Sequence, residues 1–416
     1  MGIAELIHRA LDGVAISIEA YDGSAEAVPG SVATLQVRSP DALRRFVTAP
    51  NDLGLGRAYV AGDLDVEGDL FGALAAIAKA DLRPDRALLV DLARAVGVEG
   101  LRPLPPPPEE ARMRGARHSR ERDAAAISYH YDLSNDFYRL MLGPAMTYSC
   151  AVWEDPSVGL QAAQAAKHEL VCEKLGLRSG MRLLDVGCGW GSMALHAAEH
   201  HGVEVVGVTV SPRQVELGVD RVKEAGLTGQ VDIRLQDYRD VDDGPFDAIS
   251  SIGMFEHVGR KRLADYFGRL HSLLSPEGRL LNHGICRTAQ PRDARTVTVP
   301  EAPWHRRTFI NHFVFPDGEL HELGSVISAI HQQGFEVRHV EGLREHYALT
   351  LRAWVANLEA NWDDAVRLAG FGRARVWRLY TAACAVGFED GRIQIHQALA
   401  AKAEDGHSGF PLRPAY

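Results

Sequence analysis

The sequence is poor in cysteine, carries no basic excess and contains no long apolar run, and each shortage removes a class of function. Its 416 residues include five cysteines, Cys150, Cys172, Cys188, Cys286 and Cys384, with no CxxC pair, no HExxH and no Cys/His cluster at zinc spacing. A disulfide scaffold or a metal motif is therefore not expected, and the scatter fits a reducing cytoplasm. Lys and Arg number 45 against 55 Asp and Glu, a formal net charge of -10. That balance speaks against a nucleic-acid partner, because neutralising phosphates needs a basic surface. No uncharged apolar run reaches the roughly 18 residues a spanning helix needs. Residues 1–10 carry charges within their apolar stretch and lack the continuous core of a signal peptide. Any membrane contact is expected to be peripheral.

A hydrophobic content of 46% is enough to build real cores, and the length predicts two domains. Residues 1–102 mix alternating stretches, such as Val32 to Val37, with helical patterns at Asp41 to Val47 and Asp69 to Lys79. They predict a small α+β unit. Pro103 and Pro105-Pro106-Pro107-Pro108 cannot continue a helix or a central strand, so residues 103–125 read as a stiff linker. The linker also carries Arg112, Arg114, Arg117, His118, Arg120 and Arg122. Such a stretch is either a solvated face or a surface for anionic lipid, where a basic residue contributes about 1 kcal/mol.

From Leu183 onward short apolar strands alternate with amphipathic helices. Strands are expected at Leu183–Val186, Val203–Val208, Val231–Leu235, Phe246–Ile252 and Arg279–Gly284. This alternation predicts an α/β fold, a doubly wound and mostly parallel sheet, across residues 126–405. Residues 344–402 are expected to be mostly helical, and residues 406–416 to form a tail.

The strand ending at Asp185 runs into Gly187-Cys188-Gly189-Trp190-Gly191 before a helix. Glycines there permit a tight bend and close backbone approach, as in nucleotide-binding turns. The spacing is G-x-G-x-G rather than the dehydrogenase G-x-G-x-x-G, and no pyrophosphate need be cradled; S-adenosylmethionine suits such a loop. Asp185 is expected to order the loop or meet the donor's amino group. Gln236 and Asp237, closing the third strand, can reach an adenine.

Five segments then carry a resemblance: Tyr129 to Tyr138 (YHYDLSNDFY), Met146 to Trp153 (MTYSCAVW), Val186 to Gly191 (VGCGWG), Thr209 to Gln214 (TVSPRQ) and Gly253 to Gly259 (GMFEHVG). Together they resemble the cyclopropane-fatty-acyl-phospholipid synthases and their mycolic-acid relatives. The resemblance implies a Rossmann-like class I methyltransferase domain preceded by a small lipid-binding domain. It implies two bound groups, S-adenosylmethionine and a bicarbonate ion serving as base. It places the bicarbonate on Cys150, Glu256, His283, Tyr347 and the backbone near Ile285, and the donor on Tyr148, Ser149, Thr209 and Gln214. Thr209 and Ser211 stand where other methyltransferases carry a ribose-binding acid, a departure shared with the family.

His283 and Tyr347 can donate hydrogen bonds to an oxyanion, and Cys150 adds a weak S–H donor. Glu256 is expected to share a proton with the bicarbonate, since two adjacent anions repel. Phe137, Tyr138, Tyr148, Trp153 and Phe255 are candidates to face a carbocation, about half of them serving only as core. The expected partners are unsaturated phospholipid acyl chains at an anionic membrane surface, on its inner face, with a homodimer implied by the resemblance. Two products stay open, a cyclopropane and an exomethylene leading to a methyl-branched chain. A small-molecule methyltransferase and a non-catalytic donor- or lipid-binding protein are the further alternatives.

Overall fold

The computed structural model describes residues 2–11, 14–79, 86–113, 115, 119–120, 122–123, 126, 129, 133–288, 308–414 and 416. The chain forms two compact units. One comprises Met1–Arg112 with residues 308–316 and Glu359–Val386; the other comprises Met113–Arg292, Asp317–Leu358 and Gly387–Tyr416.

In the first unit, strands β1 (Ser17–Ala20), β2 (Ala25–Glu26), β3 (Ala33–Val37) and β4 (Leu64–Gly68) form a sheet in the order β2-β1-β3-β4. β3 buries alternate residues, as its sequence pattern predicts. The helices Pro40–Thr48 and Asp52–Ala61 start at side-chain caps, Ser39 accepting from the Asp41 N–H and Asn51 from those of Leu53 and Gly54. Ile18, Leu35 and Val37 of the sheet pack with Ile16, Ala42 and Ala58 in one core.

This unit is not the contiguous segment 1–102 that the sequence suggests, and buried polar groups explain why. Arg375, only 3% exposed, donates to the carbonyls of Tyr59 at 2.6 Å and Leu64 at 2.7 Å and stacks over the Tyr59 ring at 3.9 Å. A charge this deep needs such acceptors, and they draw the helix Phe371–Glu389 largely into this unit. Phe309 sits against Gly56, where a Cβ would fall 2.3 Å from its ring, and its N–H donates to Asp52 at 2.9 Å.

The second unit is built on β5 (Arg182–Val186), β6 (Glu204–Thr209), β7 (Val231–Leu235), β8 (Phe246–Ile252), β9 (Leu274–Arg287), β10 (His321–Glu322), β11 (Phe335–Gly342) and β12 (Ile393–Lys402). The sheet order is β11-β12-β9-β8-β5-β6-β7, with β10 beside β9. Strands β5 to β9 are mutually parallel, and β12 runs antiparallel to both its neighbours. From β5 the chain winds outward through β6 and β7, then returns to build β8 and β9 on the other side. The crevice beyond the carboxyl ends of β5 and β8 is thus the switch point where doubly wound sheets bind ligands. Apolar cores cover both faces of the sheet.

The sequence pattern places the five parallel strands within a few residues. It misreads β12, whose Ala-rich run Ile393–Lys402 lies in a stretch expected to be mostly helical. Pairing on both edges, with β9 and β11, overrides helix propensity there. The tail is also anchored: Phe410 lies under the guanidinium groups of Arg279 and Arg338, at 4.5 and 5.0 Å.

Candidate active site

The glycine turn leaves β5 with all three glycines at positive φ, 75° at Gly187, 56° at Gly189 and 80° at Gly191. The N–H groups of Gly187 and Cys188 both donate to Val208 O, at 2.9 and 3.1 Å, which ties the turn to β6. The glycines differ in purpose. A Cβ on Gly187 would lie 2.3 Å from Met254 Sδ, whereas one on Gly189 would meet nothing within 4 Å. Gly187 therefore serves packing, and Gly189 leaves open space beside its backbone.

Asp185 is buried, and Ser250 Oγ donates to its Oδ1 at 2.7 Å while Oδ2 has no partner. Burial raises its carboxyl to about 6, with the Ser250 hydrogen bond and the Lys167 charge pulling down. At the end of β6, Thr209 Oγ1 donates to Gln214 Oε1 at 2.6 Å and accepts from the Ser211 N–H at 3.3 Å, and Ser211 caps the next helix. Thr209, Ser211 and Gln214 thus form one buried cluster. At the end of β7, Gln236 Nε2 donates to Asp240 O at 2.9 Å, and Asp237 holds Arg239 through both carboxylate oxygens. Tyr148 stacks on Trp354 at 5.3 Å, and the Ser149 carbonyl accepts from Gln164 at 3.0 Å.

A second constellation surrounds the carboxyl end of β9. Glu256, in the turn after β8, accepts the Ile285 N–H on Oε1 at 2.7 Å, and its Oε2 is buried without a partner. Burial pushes its carboxyl up to about 7. The Phe255 ring beside it fits because position 284 is glycine; a Cβ there would lie 2.0 Å from the ring. Cys150 and Tyr347 come together at Leu343 O, which accepts the Tyr347 N–H at 3.1 Å and lies 3.7 Å from Cys150 Sγ, whose nearer acceptor is Ala151 O at 3.1 Å. Leu343 N–H in turn donates to Ile395 O, and Ile395 is the β12 partner of Ile285. The five residues expected to hold the bicarbonate are therefore linked through β9 and β12.

Hydrogen bonding assigns the His283 tautomer. Lys174 Nζ is only a donor, so the Gln397 carbonyl oxygen must face it, at 2.6 Å, and the Gln397 amide nitrogen then faces His283 Nδ1 at 3.0 Å. Nδ1 must accept. Burial, with the nearby charges of Lys167 and Lys174, holds the imidazole well below its ordinary pKa and so neutral. Its proton consequently sits on Nε2, a buried donor without a partner.

Asp185 and His283, from the carboxyl-terminal halves of β5 and β9, and Glu256, directly after β8, thus each carry a buried polar atom without a hydrogen-bond partner. Such atoms call for a bound polar group, and together with the open face of Gly189 they fit a donor bearing an amine and a small oxyanion. Of the aromatic candidates, Phe137, Tyr138 and Phe255 are fully buried core, Trp153 is fixed to Thr350 by its indole N–H at 3.0 Å, and Tyr148 is half-buried.

The sequence reading missed Lys167, Lys174, Gln397 and Trp354. A signal existed for the first: on the helix Leu160–Leu175 the buried face includes Gln164, Lys167, His168, Val171, Cys172 and Leu175. Polar residues thus occupy its apolar-periodic positions. Among the linker residues, Arg114, Arg117 and His118 lie outside the described set. Arg122, for which the sequence leaves a solvated face or a lipid surface open, is a mostly buried ion-pair partner of Asp317, at 2.6 and 2.8 Å. Arg120 pairs with Asp240. Among the described residues no helix is long and apolar enough to cross a membrane.

The strand order, the glycine turn and the open donor side define a class I S-adenosylmethionine-dependent methyltransferase. More narrowly, the chain belongs to the mycolic acid cyclopropane synthetase family, which residues 118–398 match. It is 44% identical to a probable fatty acid methyltransferase of Mycobacterium tuberculosis, over 96% of this chain and 94% of that one. It is 34% identical to the cyclopropane-fatty-acyl-phospholipid synthase of Escherichia coli K12, over 95% and 91%. Among solved structures, the mycolic acid cyclopropane synthase CmaA1 complexed with SAH and CTAB is 37% identical, with a TM-score of 0.62 over 67% of this chain and 97% of that one.

Proposed function

We propose that the protein methylates the double bond of an unsaturated acyl chain in a membrane phospholipid and closes the added carbon into a cyclopropane. The observation that carries this reading is that Glu256, directly after β8, and His283, in the carboxyl-terminal half of the neighbouring β9, each keep a buried polar atom, Oε2 and Nε2, without a hydrogen-bond partner. S-adenosylmethionine supplies an electrophilic methyl and bicarbonate a base. Asp185, the glycine turn, Thr209, Ser211, Gln214, Gln236, Asp237, Tyr148 and Ser149 hold the donor. Cys150, Glu256, His283, Tyr347 and the backbone at Ile285 hold the bicarbonate.

The alkene's electron pair forms the new C–C bond as the sulfonium–methyl bond breaks, leaving a cation on the adjacent chain carbon. Loss of a proton from the added methyl then closes the ring. His283 Nε2–H is aimed to donate to an anion, and Glu256, titrating near neutrality, can share a proton with it, which removes the repulsion between two carboxylate-like groups. The reaction requires water to be kept from the cation, which it would trap as an alcohol. Drawing the acyl chain from a bilayer places the protein at the membrane's inner surface.

A second reading has a specific support: the 44% relative is named a fatty acid methyltransferase, the 34% one a cyclopropane synthase. In this reading a hydride shift precedes proton loss, and the product is an exomethylene. The two products are isomers, so mass does not separate them. Incubation with S-adenosylmethionine and vesicles of cis-unsaturated phospholipid, followed by proton NMR of the lipids, does. Ring protons are expected; an alkene CH2 signal selects the second reading, and absence of methyl incorporation overturns both.

A further inference from the structure

Outside the active site, two helices of the second unit bring together a set of metal-type ligands that no linear spacing in the sequence announces. The helix Leu160–Leu175 contributes Glu169 and Cys172, three residues apart and so on one face. The helix Ser192–His201, which follows the glycine turn, contributes His196 and His201. The ligand atoms of Cys172, His196 and His201 all lie within 4.8 Å of one another. Glu169 Oε2 lies 3.0 Å from His196 Nε2 and 3.2 Å from His201 Nε2.

We propose that Cys172, His196 and His201, completed by Glu169, bind one zinc-class divalent cation that clamps these two helices together. One thiolate, two imidazoles and a carboxylate are the donor types of tetrahedral zinc. With bonds of roughly 2.0–2.3 Å, such an ion holds its ligand atoms roughly 3.3–3.8 Å apart, so the cluster closes with side-chain shifts of about 1 Å. The backbone favours the same charge. Cys172 lies in the last turn of its helix and His201 is the final residue of the other, so both helix dipoles direct their negative ends at the cluster. Cys172 is sealed from solvent, while His196 and His201 are part-exposed and give an ion its entry. The helix clamped in this way begins directly after Gly191, so the ion would stiffen the element that follows the donor turn without touching the reacting groups.

The test uses the tag-free full chain, stripped with a chelator and titrated with zinc chloride against a chromogenic competitor, with thermal melts in parallel. One zinc per chain and a rise in the melting midpoint are expected. The His196→Gln/His201→Gln double variant should lose the zinc and the rise while still melting cooperatively without metal, since neither side chain is fully buried. Glu169→Gln should weaken binding roughly tenfold. Failure of the wild-type chain to hold zinc against the competitor, or unchanged stoichiometry in the double variant, overturns the proposal.

Discussion

Glu256 and Ile285 are joined by a 2.7 Å hydrogen bond from the Ile285 N–H to one carboxylate oxygen, while the other oxygen is buried and unpaired. That half-satisfied carboxyl has a measurable consequence. Burial raises it from an ordinary 4.5 to about 7. Between these values the native state holds a proton that the unfolded chain has released, so stability falls as pH rises through the window, by about 3 kcal/mol in all. Glu256→Gln should flatten that slope in denaturant titrations from pH 4.5 to 7. It should also abolish turnover and leave donor affinity intact; intact turnover would remove Glu256 from the site.

Lys167 presents the opposite sign. Burial lowers its amine from 10.5 to about 7, against the attraction of Asp185. Above about 7 the unfolded chain binds the proton that the native state has lost, so stability rises with pH toward 10.5, and Lys167→Met should remove that rise. The same change deprives Asp185 of the cation that holds its carboxyl down. Donor affinity, followed by calorimetry, should then weaken by roughly tenfold, about 1.4 kcal/mol, and most at acid pH.

The two positions show what a sequence can and cannot display. Leu183 to Gly191 is local, a strand, a turn and a helix start in nine residues, so its form is legible from spacing. Glu256, His283, Cys150 and Tyr347 are recognisable only through family motifs, because the links between them run through Leu343 and Ile395, distant in sequence. Gln397 is invisible for a related reason, and Lys167 is marked only by its apolar-periodic position on the helix Leu160–Leu175. By type, each looks like a solvent-facing residue until the sheet and its neighbouring helices bury it. Strand β12 was lost because alanines favour helix until two neighbours supply a full set of backbone partners.

The glycines of the turn should respond differently to alanine. Gly189→Ala strains a φ of 56° but meets no atom, so stability should fall by only about 1–2 kcal/mol while donor affinity drops at least tenfold, as the methyl projects where the ligand approaches. Gly187→Ala collides with Met254, and the principal loss should appear in the melting midpoint. Equal effects of the two on donor binding would contradict the division of roles.

Arg122 and Asp317 form a mostly buried bidentate pair. Removing either partner leaves the other charge uncompensated, so Arg122→Ala and Asp317→Ala should each cost about 3 kcal/mol in chemical denaturation. Co-sedimentation of the folded variant with anionic vesicles should match the wild type at every salt concentration, because Arg122 is turned inward.

Gln397 offers the sharpest test of the His283 assignment. Its carbonyl faces Lys174 and its amide nitrogen faces His283 Nδ1, which forces the imidazole proton onto Nε2. Gln397→Leu frees the ring and leaves buried groups unpaired, at about 1–3 kcal/mol, and turnover should fall by roughly 10- to 100-fold with donor affinity unchanged. Gln397→Glu separates geometry from tautomer. A carboxylate at this position still meets both neighbours, but it can only accept, so the proton moves to Nδ1 and Nε2 becomes an acceptor. An imidazole that accepts at Nε2 repels the lone pairs of an oxyanion. Gln397→Glu should therefore keep the fold and lose as much turnover as Gln397→Leu or more, with the nitrogen-15 shifts of His283 reporting the exchanged tautomer. Full activity in that variant would show that the His283 Nε2 proton has no part in the reaction.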